Sequence, residues 1–461
     1  MDGGDKERAV ANGIKEVVKH TSRRKAAQSV KQRDPAKIAP KSTGLLESPS
    51  SLVPSQDRPD AAFSADDTAL LMHFLDHVFP LQYPVYKPGI QGGRGWLLSA
   101  LTQTKPLYHA ALSLSAYHRW TVASAMLSRP CQIATLIQQE KHLEASIKSL
   151  NSFSHTYCHS GELSIIQTII QLAFLEVFTN YGNAWKAHLR AATSMYQRNN
   201  RYGSAPPGLA VLKEELPLLE FEALVSNEAA QSRFISGTLI WLDIISCITT
   251  ATTPQLLLLH SAVMAPDSQT RLEDIMGCKN RVMLQIGRIA ALHANKLQAL
   301  RQGHFNCEQF EGTISDISIE LQSGFDASEP NPVPLCNPST LITPVFASMA
   351  LVYIHLITHG FQQLELLDAV IARVITTLQR ETPMHLLPAL VAPLYVTGSV
   401  ARQEDEQFFR DIFSSPPLLD TSLKQRTRIL PILEEVWNKR RTEANFLWED
   451  SLELIHDILL I

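Results

Sequence analysis

The stretch ELSIIQTIIQLAFLEVF, residues 162–178, sets the fold class of this chain. Its apolar residues recur three and four positions apart, which places one set of side chains on a single helix face: Ile166, Ile169, Ile170, Ala173 and Val177. NRVMLQIGRIAALHANKLQAL, residues 280–300, has the same period. No run of alternating polar and apolar residues bounded by turn signals occurs anywhere in the chain. The sequence therefore predicts an all-α body of about a dozen helices.

Three regions differ in composition along the 461 residues. Residues 1–41 contain eleven Lys and Arg against five Asp and Glu, so a whole-chain charge of −4 leaves −10 for residues 42–461. Residues 42–63 are rich in Ser and Pro and are predicted to form a linker. The body begins at residue 64, where Ser64 and Asp67 resemble a helix N-terminal capping box. A basic arm before an acidic body is typical of a partner of nucleic acid or of an anionic membrane.

Cysteine usage and hydropathy indicate a chain that functions in a reducing compartment. The cysteines are scattered without a CxxC pair: Cys131, Cys158, Cys247, Cys278, Cys307 and Cys336. The first twenty residues lack the apolar core of a signal peptide. We therefore expect reduced thiols in the cytosol or nucleus. LITPVFASMALVYIHLI, residues 341–357, is about one membrane thickness long, but Pro344 and the flanking histidines favour a buried helix, and we expect no membrane partner.

No motif of a known catalytic class is present, whether a P-loop, GxSxG or HExxH. His73 with His77, and His355 with His359, are spaced i, i+4, which places each pair on one helix face and suits a shared metal ion. Neither pair has an obvious third ligand, so we assign no metal and interpret them as partly buried polar side chains. Residues 157–159, Tyr-Cys-His, combine a thiol with a base, but sequence neighbours seldom point at each other, so no catalytic site is expected.

Four stretches of the body, taken in order, carry a family resemblance. They are YPVYKPGIQGGRGWLLSALTQTKPLYHAALSLSAYHRW (83–120), LAFLEVFTNYGNAWKAHLRAA (172–192), LIWLDIISCITTATTP (239–254) and IMGCKNRVMLQIGRIAALHANK (275–296). They resemble the regulatory domain of fungal zinc-binuclear-cluster transcription factors, in the subgroup that includes the acriflavine-sensitivity control protein. The resemblance implies an all-α regulatory domain over residues 64–461 of a nuclear, non-enzymatic regulator. It also implies a pathway-specific role, such as control of a biosynthetic gene cluster or of drug tolerance.

The resemblance extends to the basic arm. In this family a Zn2Cys6 cluster beginning C-x2-C-x6-C precedes the regulatory domain and is followed by an MDGG-like turn and a basic helix. Residues 1–4, MDGG, and residues 14–25, IKEVVKHTSRRK, are similar to that segment. We therefore expect the chain to begin just after the position of the DNA-reading module. Either the start is misassigned and a zinc cluster lies upstream, so that the protein binds DNA, or the cluster is absent and a DNA-binding partner supplies it.

Two groups of candidate functional residues follow. Arg23, Arg24 and Lys25 are predicted to contact nucleic-acid phosphates or to serve as a nuclear import signal, with a solvated helix face as the alternative. The second group is a pocket for a small-molecule effector among the apolar helices, near Trp185, Trp241 and Tyr353.

The leading hypothesis is a nuclear transcription regulator that forms a homodimer or heterodimer. The alternative is a co-regulator that does not bind DNA and acts through an intact zinc-cluster partner. An all-α enzyme that uses one of the His pairs is the third hypothesis, and no other feature of the sequence supports it. No cofactor is expected except the zinc of an upstream cluster.

Overall fold

A computed structural model of the chain describes residues 64–86, 94–123, 129–153, 162–201, 218–326, 337–380 and 382–461. These ranges are mostly helical and contain no β-strand, which confirms the all-α prediction. The helices outnumber the expected dozen because several are only two or three turns long. In chain order they are α1 (Ala65–His73), α2 (Phe79–Gln82), α3 (Gly95–Gln103), α4 (Lys105–Ala123), α5 (Arg129–Phe153), α6 (Glu162–Thr179), α7 (Trp185–Arg201), α8 (Leu218–Thr250), α9 (Leu257–Val263), α10 (Asn280–Gln302), α11 (Cys307–Asp326), α12 (Pro338–His359), α13 (Asp368–Arg380), α14 (Val391–Ser399), α15 (Glu406–Phe413), α16 (Ile429–Thr442) and α17 (Trp448–Ile455).

The body starts with a capped helix, as predicted. The Asp67 backbone N–H donates to Ser64 Oγ over 3.1 Å, which satisfies one of the free donors at the start of α1. A π-helical turn, Phe74–Val78, continues α1 and is followed directly by α2. Both end residues of this turn, Phe74 and Val78, are buried.

Small polar side chains join the helices of the N-terminal half. Helix α4 packs against α1, α5 and α6, and α6 packs against α7. Ser115 Oγ of α4 donates to the Leu70 carbonyl of α1 over 2.7 Å, and Ser146 Oγ of α5 donates to the Pro106 carbonyl of α4 over 2.8 Å. Such short side chains let two backbones approach closely while each hydroxyl finds a partner inside the core.

The C-terminal half is built around α10 and α12. Helix α10 packs against α8, α11 and α12, α12 also packs against α13 and α14, and α14 packs against α16. One continuous apolar core runs through both halves, from Leu70 in α1 to Ile461. The body is therefore a single packed unit over the ranges described.

Three of the described helices are long and apolar enough to cross a membrane by length and composition: Glu162–Thr179, Asn227–Thr250 and Pro338–His359. Between 72% and 89% of each apolar window is nevertheless buried inside the protein. The stretch 341–357 therefore forms the buried central helix α12, as its proline and histidines indicated.

The segment 457–461 threads back into the core after α17. The Ile458 carbonyl accepts from Thr249 Oγ1 of α8 over 3.2 Å, and the Leu459 N–H donates to Gln425 Oε1 over 3.1 Å. Arg426 Nε donates to the Ile461 carbonyl over 2.9 Å. Four apolar side chains are buried here: Ile458, Leu459, Leu460 and Ile461. This terminal segment therefore joins helices that are distant in sequence.

Two helices extend into stretches rich in turn-forming residues. Helix α8 extends through Thr250, two residues into the stretch TTATTP at 249–254. Helix α11 extends through Asp326, four residues into the stretch SGFDASEPNPVP at 323–334. Tertiary packing explains the extension of α8, because Thr249 is buried and bonded to the terminal segment.

Candidate functional site

The basic triplet Arg23, Arg24 and Lys25 lies outside the described residues, as does the Tyr-Cys-His tripeptide at 157–159. Their proposed roles therefore stay predictions.

The three aromatic residues predicted to line an effector pocket all lie in the packed core. Trp185 Nε1 donates to the Asp457 carbonyl over 2.8 Å, which ties α7 to the terminal segment. The Trp241 ring lies 6.2 Å from the Tyr83 ring, and the Tyr353 hydroxyl lies 3.1 Å from His293 Nδ1. Each of the three side chains thus contacts a different partner.

A small cavity lies close to Trp241, since Tyr83, whose ring contacts the Trp241 ring, is one of the residues that line it. It is lined by Tyr83, Phe234, Gln167 and Gln171, among other residues, and its volume is about 10 Å³. A space of this size holds about one water molecule. The cavity is therefore too small for an organic effector, and a pocket around Trp185, Trp241 and Tyr353 stays a prediction.

The two His pairs lie on common helix faces, as their spacing indicated. The His73 and His77 rings are 4.7 Å apart, and the His355 and His359 rings are 5.0 Å apart. No group of three or more potential metal ligands surrounds either pair among the described residues. Instead, His355 Nε2 bonds to the Gln362 carbonyl over 2.7 Å and so fixes the loop that follows α12.

The structure also brings together histidines that the sequence did not connect. His73 Nε2 lies 2.9 Å from His118 Nδ1, and His109 Nδ1 lies 3.1 Å from His142 Nδ1. Burial, followed by the charge of His118, lowers the pKa of His73 from 6.5 to about 4. No local pattern could reveal these pairs, because each one joins two different helices.

A larger cavity opens where three segments of the C-terminal half meet, residues 361–364, 401–406 and 437–446. Its volume is about 310 Å³, within the range of pockets that bind small molecules. We call it the arginine cleft and define it by six lining residues: Phe361, Arg402, Glu406, Arg440, Arg441 and Phe446. Phe361 follows α12, Arg402 precedes α15, and Glu406 begins α15. The last two arginines lie in the final turn of α16, where positive charge is stabilised by the helix dipole.

Aromatic rings form one wall of the cleft. The Phe361 and Phe446 rings stack 5.6 Å apart at an angle of 5°. The Arg440 guanidinium lies 5.3 Å from the centre of the Phe361 ring, a distance typical of a cation–π contact. The Trp437 indole donates to the Gly398 carbonyl over 2.7 Å, which fixes the ring beside the cleft.

The acidic side chains of the cleft are already neutralised by cations. The buried Glu406 carboxylate accepts from Arg410 over 2.9 Å and from Arg441. Glu443, which also lines the cleft, lies 3.5 Å from Lys439. Arg402 pairs with Asp368 at the start of α13.

Arg440 has a different environment. Its Nη1 donates to the backbone carbonyls of Ser399 over 2.6 Å and Ala401 over 3.1 Å. Within the described ranges it forms no ion pair with a carboxylate. Burial lowers the pKa of Arg440 from 12.5 to about 10, so the guanidinium still carries its charge at neutral pH.

Sequence reasoning missed this cleft. The only local signal was NKRR at residues 438–441, a basic run at the end of a helix, which is also what a solvated helix end looks like. Phe446 lies five positions after Arg441, but Phe361, Arg402 and Glu406 lie 35 to 80 positions before it, and only the tertiary fold brings them together.

Comparison with known proteins gives the family. The chain matches the fungal specific transcription factor domain over residues 69–461. It is 37% identical to the pestheic acid cluster transcriptional regulator 3 of Pestalotiopsis fici, over 98% of this chain and 90% of that protein. It is 26% identical to the trichothecene biosynthesis transcription regulator TRI10 of Trichoderma arundinaceum, over 81% of this chain and 92% of that protein. For TRI10 of Fusarium sporotrichioides the identity is 27%, over 84% of this chain and 96% of that protein. No solved structure matches the chain.

The matched region contains nearly all of the described helices and all four stretches on which the resemblance was based. The relatives are similar over most of their own lengths, and their names agree on one type of activity. The chain belongs to the family with the fungal specific transcription factor domain and is a transcription regulator.

Proposed function

We propose that this chain acts in the nucleus as the pathway-specific regulator of one biosynthetic gene cluster. The observation that carries the proposal is its 37% identity to a cluster transcriptional regulator over 98% of the chain. Two further relatives are named as regulators of a biosynthetic pathway, that of the trichothecenes. The family model covers residues 69–461, which supports our proposal that the all-α body carries the shared activity.

The charge distribution supports different roles for the basic arm, residues 1–41, and for the body. Residues 42–461 carry −10, which disfavours a broad nucleic-acid surface, whereas residues 1–41 carry +6. Phosphate contacts from a basic arm give salt-sensitive affinity without choosing a base sequence. Choice of promoter therefore requires a zinc cluster, either on this polypeptide or on a partner.

Gene deletion tests the proposed pathway role. Removing the gene from its native fungus and sequencing the RNA should change transcripts from one contiguous group of biosynthetic genes. Reintroducing the full-length gene should restore them. Changes scattered across the genome, with no coordinated group, would contradict pathway-specific control.

A second candidate function is a co-regulator that reaches DNA only through a zinc-cluster partner. The family resemblance of residues 1–25 to a post-cluster segment favours testing it. The purified chain would be titrated with promoter DNA and with a shuffled duplex of equal length, at low and at physiological salt. Equal affinities that fall together as salt rises indicate a partner-dependent protein. Preference for the promoter at physiological salt indicates that the chain itself reads DNA.

Nuclear import tests the role of Arg23, Arg24 and Lys25. We expect their joint substitution by Gln to abolish nuclear accumulation of a fluorescent fusion. The matched control replaces Lys31, Arg33 and Lys37 by Gln, which removes the same charge from the same arm. If both variants stay nuclear, or if both leave the nucleus equally, the triplet is not the import signal.

A further inference from the structure

The arginine cleft has the volume of a ligand site, and both charged and apolar side chains line it. Its volume is about 310 Å³, and the Arg402 and Arg441 side chains at its edge are 46% and 47% exposed. Ligand sites combine an apolar wall with a few polar groups that fix orientation. The stacked Phe361 and Phe446 rings provide the first element, and the guanidinium groups provide the second.

The charges of the cleft determine whether it favours an anionic or a cationic ligand. Each carboxylate of the lining already has its own cation: Glu406 has Arg410 and Arg441, and Glu443 has Lys439. Arg440 is held by two carbonyls and by the Phe361 ring instead of by a carboxylate among the described residues. An excess positive charge therefore faces a partly enclosed space, which favours an anion.

The side chains that line the cleft also indicate which kind of anion fits it. A planar guanidinium binds a carboxylate through parallel hydrogen bonds, a geometry that Lys does not reproduce. Phe361, Phe446 and Trp437 all line the cleft and favour a flat apolar body next to the charged group. A fully hydrated inorganic anion would leave that wall unused.

We propose that the arginine cleft binds a small aromatic carboxylate, with Arg440 on the carboxylate and the Phe361 and Phe446 wall on the ring. Such a ligand would contact the loop after α12, the start of α15 and the end of α16 together. The cleft would then act as an effector site of the regulatory body. The proposal rests on the geometry of the cleft and does not depend on which genes the protein controls.

Calorimetric titration of the full-length chain tests the proposal, with naphthoate as the probe, naphthamide as its neutral counterpart and inorganic phosphate as a bare anion. We expect naphthoate to saturate below about 1 mM and to bind about tenfold more tightly than either comparison compound. Equal binding of naphthamide would show that charge is irrelevant, and equal binding of phosphate would show that the aromatic wall is irrelevant. Either result, or no binding of naphthoate, overturns the proposal.

Variants locate the binding. Arg440→Lys keeps the charge and a donor for the backbone carbonyls but loses the planar fork, so it should weaken naphthoate about tenfold. Arg402→Gln, at the exposed edge, tests the cleft without altering a buried group. Arg301→Gln changes an exposed arginine at the end of α10 and should bind like the unaltered protein. Undiminished binding by both cleft variants would overturn the assignment of the site.

Discussion

At the scale of single residues, Trp185, which was predicted to line an effector pocket, forms a hydrogen bond that stabilises the fold. Its indole N–H donates to the Asp457 carbonyl, 272 positions further along the chain. A buried carbonyl that loses its donor retains the cost of desolvation. The Trp185 side chain therefore holds α7 against the terminal segment, residues 457–461.

The substitution Trp185→Phe should lower the free energy of unfolding by about 2 kcal/mol, because it removes this donor and part of a buried ring. Urea denaturation followed by circular dichroism measures the change. Trp120→Phe is the control, since Trp120 is half-buried and its indole forms no hydrogen bond to another described residue. Equal losses in the two variants would show that the hydrogen bond to Asp457 contributes nothing measurable.

The pair of His73 and His118 predicts a pH dependence of stability. Burial and the nearby His118 lower the pKa of folded His73 to about 4, whereas unfolded His has a pKa of 6.5. Between pH 7 and pH 5 the unfolded chain takes up a proton that folded His73 does not. Acidification therefore favours unfolding, by on the order of 1 kcal/mol for this residue.

Asp243 acts in the opposite direction, since burial raises its pKa to about 6 and makes the folded state the better proton acceptor between pH 4 and 6. The contribution of His73 is therefore measured by comparing the pH dependence of stability in variants with that of the unaltered protein. The loss of stability from pH 7 to pH 5 should be smaller in His73→Gln than in the unaltered protein, and unchanged in a variant of the exposed His385. A His73→Gln variant with the full loss would contradict the assignment.

At the scale of elements, the contact between the loop before α10 and helix α12 depends on one glycine. Gly277 has φ of +89°, and a Cβ there would lie 2.3 Å from Ile342 Cδ1 of α12. The Lys279 N–H also donates to Thr343 Oγ1 over 3.1 Å. The turn is thus fitted to α12 both by backbone conformation and by packing.

Gly277→Ala should lower the free energy of unfolding by about 2–4 kcal/mol, because it adds a steric conflict to an unfavourable φ. Gly303→Ala is the matched control: its φ is +70°, but no atom lies within 4 Å of the added Cβ. We expect about 1 kcal/mol for the control. The difference between the two, measured by urea denaturation, isolates the packing against α12, and equal losses would disprove it.

The elements also show what local sequence can predict. The period of residues 162–178 fixed a helix whose predicted face is buried, and the Ser64 cap formed as its spacing indicated. The cleft was not predictable, because Phe361, Arg402 and Arg440 belong to three segments with no shared period. Only the packing of α12, α14 and α16 sets their distances.

At the scale of the whole molecule, stability depends on the last few residues described. Burial of Ile458, Leu459, Leu460 and Ile461 contributes roughly 6–12 kcal/mol by area, close to the entire net stability of a typical domain. Two hydrogen bonds also hold this segment: Thr249 Oγ1 donates to the Ile458 carbonyl, and the Leu459 N–H donates to Gln425 Oε1.

Deleting residues 457–461 should therefore abolish cooperative thermal unfolding and expand the body, as measured by calorimetry and size-exclusion chromatography. A graded test uses two leucines: Leu460→Ala should cost about 2–5 kcal/mol, and Leu258→Ala, at a position 87% exposed, less than about 0.5 kcal/mol. A truncated protein that still melts cooperatively near the original temperature would contradict the role of this segment.

The terminal segment also determines how variants of the gene should be interpreted. A stop codon or frameshift at position 457 leaves residues 1–456 unaltered and is easily classed as a mild allele. Because the lost residues complete the core around Trp185 and Thr249, such an allele should behave as a complete null. Strains that carry it would lack the regulator altogether, however normal the transcript is.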